Sequence, residues 1–504
     1  MMYKNPIIQG FNPDPSICRV GNDFYIVNSS FEFYPGVPIY HSKNLVNWNL
    51  IGYCLTRRSQ DELLNARASG GIYAPTIRYH NDMYYMTTTN VSHGGNFIVH
   101  AKDPSGPWSE PVWVDQGGID PSLFFDDDGT VYYCSNATVD GKMGIALSII
   151  DPMTGERLSP IQHICSGSGG RYPEGPHLYK INDWYYLMIA EGGTEYGHME
   201  TIFRSKSPWG PYEGCPHNPI LSHRDRTYSP IQCTGHADMV EDQNGNWWLV
   251  CLGVRPLKGM LHNLGRETFL APVTWTSDGW PIIGNDGYIE MEMNGPLPGD
   301  TFPQSDSWHD LFESHTLDLN WNFIRNPKMG NYDLSSRTGS IKIIGESKTL
   351  SEDKDSPSFI GKRQQHFNCT AEVNMSFKAD EQNSEAGITA YYNDSYHYEE
   401  FLTNIDGEYY VCLRKKVHDI EVITDRKKVN FKEEINFRIR SDRDYYYFDY
   451  KLPEGDWEHL GKGMTAGLCT EGTHTMTFTG TYLGVYCVNG NVFFDWFKYT
   501  GNND

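Results

Sequence analysis

Short apolar runs alternate with polar turns along the first half of the chain, and one arrangement returns five times. A turn dipeptide is followed by bulky, mostly aromatic residues and then by an apolar strand. The copies are Gly21-Asn22-Asp23-Phe24-Tyr25-Ile26-Val27, Asn81-Asp82-Met83-Tyr84-Tyr85-Met86, Asp128-Gly129-Thr130-Val131-Tyr132-Tyr133, Asn182-Asp183-Trp184-Tyr185-Tyr186-Leu187 and Asn244-Gly245-Asn246-Trp247-Trp248-Leu249. Turn dipeptides flanked by β-formers are hairpin signals. Five of them, roughly 50 to 60 residues apart, predict a five-bladed β-propeller with one four-stranded sheet per repeat. A β-sandwich with accidental similarity is the plainer alternative, and five copies weigh against it.

The segments that precede the hairpins also match. Counting 11 residues back from Tyr25, Tyr85, Tyr185 and Trp247 reaches Asp14, Ala74, Glu174 and His236, and the same count from Val131 reaches Asp120. Equivalent positions in equivalent blades are related by rotation about the propeller axis, so if one faces the axis, all do. Asp14, Asp120, Glu174 and His236 are therefore expected to converge. Their Pro and Gly neighbours suit a chain turning sharply into an innermost strand.

The repeat fades after Trp280-Pro281, and Gly295-Pro296-Leu297-Pro298-Gly299-Asp300 reads as a linker. Beyond it, alternating runs at 339–345, 386–392, 409–414 and 491–499 predict an antiparallel β-sandwich. Long helical patterns are scarce, so the expected class is all-β. The propeller spans residues 1–300 and the sandwich 301–504.

Composition narrows the partners. With 41 Lys and Arg against 64 Asp and Glu, the formal charge is −23, which repels phosphate backbones and anionic membranes. Nucleic acid and membrane are excluded as partners on this reading. No apolar run approaches the roughly 18 residues of a membrane span. The start, Met1-Met2-Tyr3-Lys4-Asn5-Pro6, carries no apolar signal region. The 11 cysteines are scattered and form no Cys-x-x-Cys pair, which fits buried thiols in a reducing compartment. A cytoplasmic location is the expectation. The 33 Tyr and 13 Trp suit many short strands and a protein that handles flat, hydroxyl-rich ligands.

Carboxylates crowded into a pocket cannot all ionise cheaply, so their pKa values separate. One then serves as base and another as acid, the division that glycoside hydrolysis requires. Taken singly, each has a plain structural explanation: Asp14 and Asp120 as Asx-turn residues before proline, Glu174 as an acceptor for a backbone amide. At matched repeat positions the catalytic reading is favoured.

These residues sit in stretches that resemble glycoside hydrolase family 43, in the subgroup of exo-acting β-xylosidases and α-L-arabinofuranosidases with a C-terminal concanavalin-like β-sandwich. The stretches include Asn12-Pro13-Asp14-Pro15-Ser16, Tyr73-Ala74-Pro75, Gly118-Ile119-Asp120-Pro121-Ser122, Glu174-Gly175-Pro176-His177, Gly265-Arg266-Glu267-Thr268, Arg363-Gln364-Gln365-His366-Phe367 and Phe494-Asp495-Trp496-Phe497. The resemblance implies an inverting enzyme acting on pentose-containing oligosaccharides. Asp14 would be the general base, Glu174 the general acid, and Asp120 the modulator of the acid. Arg266 would reach the bound sugar, Phe31 and Tyr73 would line its subsite, and Tyr482 would reach across from the sandwich to narrow the pocket mouth. His236 would help hold a calcium ion or a water on the axis, although one His among oxygens is a weak calcium signal. No cofactor is required for the chemistry. Relatives form dimers or tetramers, which sets an expectation of a homo-oligomer.

One departure matters. Many β-xylosidases of this subgroup carry Trp-Ala-Pro-Asp where this chain has Tyr73-Ala74-Pro75-Thr76. A smaller wall and a lost acid shift the expectation toward arabinofuranose. Two other classes stay open: a retaining, fructoside-cleaving propeller enzyme, and a sugar-binding propeller without turnover. An endo-acting arabinanase is disfavoured, because it needs an open groove.

Overall fold

The structure, a computed structural model, describes residues 1–378, 383–473, 475 and 477–502. It is built almost wholly of strands. Helix among the described residues is confined to three short 3-10 turns, Met329–Asn331, Thr465–Leu468 and Thr470–Thr473, and no helix is long and apolar enough to cross a membrane.

Five antiparallel sheets follow one another in chain order. The first strand of each is Ser16–Val20, Thr76–His80, Ile119–Phe125, Glu174–Ile181 and Gln232–Glu241. These five strands contact one another around a common axis. The second strands, Asp23–Val27, Met83–Asn90, Val131–Val139, Trp184–Glu191 and Trp247–Val254, begin at the repeated turns. The expected five blades are present, with one hairpin from the repeat in each.

The aromatic residues of those hairpins hold neighbouring blades together. Tyr25 packs edge-on against Tyr84, their ring centroids 5.2 Å apart. Tyr85 meets Phe125 at 5.1 Å, Phe124 meets Tyr185 at 6.2 Å, and Tyr186 meets Trp275 at 5.3 Å. Each pair joins one blade to the next, so the tyrosine excess is chiefly a packing feature of the wedge-shaped gaps. The ring of blades is fastened by the start of the chain. Met2–Lys4 pairs with Glu292–Asn294, and Ile8 bridges Thr268 in the last blade.

No strand lies between Asn294 and Ser307. The chain then forms two packed antiparallel sheets around a core that includes Ile341, Val373, Ile388, Phe437, Val485 and Phe497. One sheet is six-stranded, in the order Phe359–Arg363, Tyr482–Val488, Glu385–Asn393, Tyr396–Ile405, Glu408–Val417, Ile420–Lys428. The domains are sewn together as well as packed. Phe33–Tyr34 of the first blade pairs with Phe323–Ile324, and Arg325 Nε donates to the Ala66 carbonyl at 2.6 Å. All 11 cysteines are buried free thiols.

Candidate active site

The innermost strands do not run straight where they enter the axis. In blades 3, 4 and 5 the register shifts between Ile119 and Ser122, between Glu174 and His177, and between Gly235 and Asp238. A β-bulge re-aims the side chain it carries. Asp120, Glu174 and His236 each sit in one, and Asp14 lies just ahead of its strand. Backbone φ is +50° at Asp14, +54° at Asp120 and +48° at His236, a left-handed conformation that Asp and His tolerate better than most residues. Beside Glu174 the left-handed residue is Gly175. A Cβ there would come within 2.8 Å of His236 Nε2, so glycine lets the acid-bearing strand pass beneath the imidazole.

All five matched positions, Asp14, Ala74, Asp120, Glu174 and His236, line one cavity of about 70 Å³. Phe31, Tyr73, Thr194, Arg266 and Phe478 complete the described wall together with Ile119. Rotation about the propeller axis thus relates residues that all meet at one place.

Asp14 is 4% exposed and held from three sides. Ser29 Oγ donates to Oδ2 at 2.5 Å, Arg266 donates to Oδ1 at 3.0 Å and to Oδ2 at 3.3 Å, and His236 Nδ1 lies 3.4 Å from Oδ1. Burial pushes this carboxyl upward, but Arg266, His236 and the Ser29 hydroxyl outweigh it, and its pKa falls below the ordinary carboxylate value. Glu174 is treated oppositely. Burial and then the Asp14 charge push it up to about 7, against the pull of Arg266. Asp120 is driven well above the usual range by burial, by Glu174 and by Asp14. Below about pH 7 the cavity therefore holds one ionised carboxylate facing protonated acid.

Arg266 is fixed as firmly as its partner. Its guanidinium lies between Phe31 and Phe478, 5.5 Å and 5.2 Å from their ring centroids. It donates to Thr194 Oγ1 at 3.0 Å and to the Phe478 carbonyl at 3.2 Å. Phe478 belongs to the sandwich domain and is pinned by its own amide, which donates to Ser69 Oγ at 2.8 Å. Its ring meets Phe31 at 5.6 Å and Tyr73 at 5.9 Å. A sandwich aromatic does close the cavity.

That aromatic is not Tyr482, which corrects one expectation. Tyr482 opens the strand Tyr482–Val488 and is completely buried. Its ring stacks on Phe33 at 4.2 Å and lies behind the wall rather than in it. Four residues earlier the chain is still a loop, free to reach across. Thr76 also stays out of the cavity. It is buried at the start of its strand, paired with Thr87, so only the Tyr73 half of the Tyr73–Thr76 departure reaches the pocket.

Sequence reasoning missed Ser29, Thr194 and Phe478, and it missed what fills the axis below the cavity. Arg78 of blade 2 donates to Asp238 of blade 5 through both nitrogens, at 2.7 and 3.2 Å. It also reaches Ser16 Oγ of blade 1 at 3.2 Å and His177 Nδ1 of blade 4 at 3.0 Å. Ser16 and Asp238 each follow a matched position by two residues, the strand period, a signal that could have revealed this second layer. The donor set does not suit calcium, which takes six to eight oxygens. Around His236 stand imidazoles, a guanidinium and one carboxylate, Asp14, whose Oδ1 lies 3.4 Å from Nδ1, and among the described residues no three His, Cys, Asp or Glu side chains converge on a metal position.

Comparisons with known proteins agree with this geometry. Residues 3–281 match the family described as glycosyl hydrolases family 43. Residues 309–500 match the β-xylosidase C-terminal concanavalin A-like domain. The chain is similar to a non-reducing end α-L-arabinofuranosidase of Bacteroides ovatus, 44% identical over 99% of this chain and 94% of that protein. It is also similar to a β-xylosidase of Bacillus subtilis, 31% identical over 97% and 96%. Among solved structures, a Bacteroides ovatus GH43B from a xyloglucan utilisation locus superposes with a TM-score of 0.95, at 43% identity and full coverage of both chains.

Proposed function

Because this chain belongs to glycoside hydrolase family 43, we propose that it removes single terminal pentoses, arabinofuranose or xylose, from short oligosaccharides with inversion of configuration. The observation that carries this is the split between two carboxyl groups in one cavity, Asp14 lowered and Glu174 raised. Asp14 acts as general base. Its ionised oxygens, oriented by Ser29 and Arg266, take the proton from a water that attacks the anomeric carbon. Glu174 acts as general acid, giving its proton to the departing glycosidic oxygen. Asp120, raised by burial and by Glu174, is uncharged beside the acid below about pH 7. Single displacement by water inverts the anomeric centre.

A cavity of only about 70 Å³, walled in part by the second domain, supports exo action. Phe478 of the sandwich domain stands in the wall, and the rings of Phe31, Tyr73 and Phe478 provide apolar faces for one sugar ring. The Tyr73 wall and the similarity to the Bacteroides arabinofuranosidase favour arabinofuranose over xylose. The Arg78–Asp238 pair fills the axis below the cavity, and the buried free thiols favour a reducing, cytoplasmic setting.

The test is hydrolysis of aryl α-L-arabinofuranoside and aryl β-xyloside side by side, with proton NMR of the first-formed sugar. Faster arabinose release, with the inverted anomer appearing before mutarotation, is expected. Retained configuration or release of longer fragments would overturn the reading.

A further inference from the structure

The seam between the domains holds a second and larger cavity, of about 930 Å³. It shares no lining residue with the catalytic cavity. Asn12, Tyr40 and Trp48 face it from the propeller, and Asn320, Lys362 and Arg363 from the sandwich. Lys362 and Arg363 end the strand Phe359–Arg363 and are only 4% and 6% exposed.

Two adjacent cations buried in a cavity wall call for counter-charge, and the two carboxylates of the same lining, Asp306 and Asp318, form an ion pair with neither. Neither cation forms an ion pair among the described residues. Lys362 Nζ donates only to neutral amides, Gln365 Oε1 at 3.0 Å and Asn320 Oδ1 at 3.3 Å. Asp318 acts on it from farther off, and burial together with Arg363 pulls its amine down to about 8. The neighbours that act on the Arg363 charge are the tyrosines Tyr482, Tyr53 and Tyr40. Its guanidinium lies 5.5 Å from the Phe11 ring and 5.8 Å from the Tyr482 ring and hydrogen-bonds Tyr53, while its fully buried Nε and Nη2 have no hydrogen-bond partner. In a chain of formal charge −23, this is a site arranged for an incoming anion.

We infer that this interdomain cleft binds a small acidic sugar, a uronic acid free or at the end of an oligosaccharide, with its carboxylate toward Lys362 and Arg363. A carboxylate beside Lys362 Nζ, which has used two of its three protons, would supply counter-charge to both cations. The remaining lining fits the rest of such a ligand. Tyr40 and Trp48 are the aromatic part of the lining, Asn12 and Asn320 border them with amides that already bond within the protein, and the volume lies in the range of small-ligand sites.

Isothermal titration of the full chain with sodium glucuronate, xylose and inorganic phosphate tests the inference. Glucuronate should bind at least about tenfold more tightly than either of the others, and Lys362→Gln and Arg363→Gln should each weaken it by about tenfold. Binding should persist in Glu174→Gln, which alters only the catalytic cavity. Phosphate binding as tightly as glucuronate would overturn the sugar assignment. Absent glucuronate binding, or binding unchanged in both cleft variants, would overturn the site. If Arg363→Gln does not fold, Lys362→Gln carries the comparison, and the unfolding temperature of the unaltered protein provides a second readout. Glucuronate should raise it more than xylose does; an equal response to both would contradict the inference.

Discussion

Asp14 and Glu174 are both carboxyl groups in one cavity, and their neighbours make them different. Asp14 gains a guanidinium and a hydroxyl, whereas Glu174 gains burial and a negative neighbour. The sign of the pH dependence follows. Activity needs Asp14 ionised, so it is lost on acidification only below the ordinary carboxylate range. It also needs Glu174 protonated, so it is lost on the alkaline side as pH passes about 7. Arg266 lowers both groups. Arg266→Gln should therefore move both limbs of the kcat/KM profile to higher pH and cut its maximum by about 10- to 100-fold. A profile that falls in height without moving would mean that Arg266 serves only to bind sugar. The carboxylates were legible because their types and matched spacing survive in sequence. Ser29 and Thr194 were not, since a hydroxyl at a loop position carries no mark until the fold shows what it touches.

Within the blades, position and side-chain direction come from different sources. The repeat located the axis residues, because hairpins at regular intervals set where each innermost strand begins. The bulges that aim Asp120, Glu174 and His236 inward left only the nearby Pro and Gly as a trace. In the sandwich, the same reasoning chose the right segment and the wrong ring. Tyr482 is fixed by its sheet and stacked on Phe33, whereas Phe478, in the Thr- and Gly-rich loop before it, crosses to the propeller. Phe478→Ala should lower kcat/KM for aryl pentosides by about 10- to 150-fold, the worth of one buried aromatic face, chiefly through KM. Tyr482→Phe should stay within about twofold, since its hydroxyl has only a long 3.5 Å contact to Asn322. Steady-state kinetics of the two variants would separate them, and the reverse order would restore Tyr482 to the pocket.

Across the whole molecule, the five-bladed ring exists to bring distant parts of the chain to one axis. Its centre is closed by protein: Arg78 spans to Asp238, Ser16 and His177, linking four blades beneath the cavity. Arg78→Met would leave Asp238 buried and unpaired, at a cost of about 3–5 kcal/mol, and thermal unfolding should show it. A chelator should leave the unfolding temperature of the unaltered protein unchanged; a fall would point to a metal on the axis. Fold class, blade number and domain order could be read from hydrophobic periodicity. The seam between domains could not, because Lys362 and Arg363 look like ordinary surface cations until burial is known. The central claim, that the ring delivers a base and an acid on opposite sides of one sugar, has a direct test in leaving-group dependence. Aryl pentosides with an acidic and a weakly acidic phenol should be compared in Asp14→Ala and Glu174→Ala. Loss of the acid should cost about 10²–10⁴-fold on the weakly acidic phenol and far less on the acidic one, which leaves without a proton. Loss of the base should cost the same on both; equal losses on both substrates in Glu174→Ala would contradict the assignment.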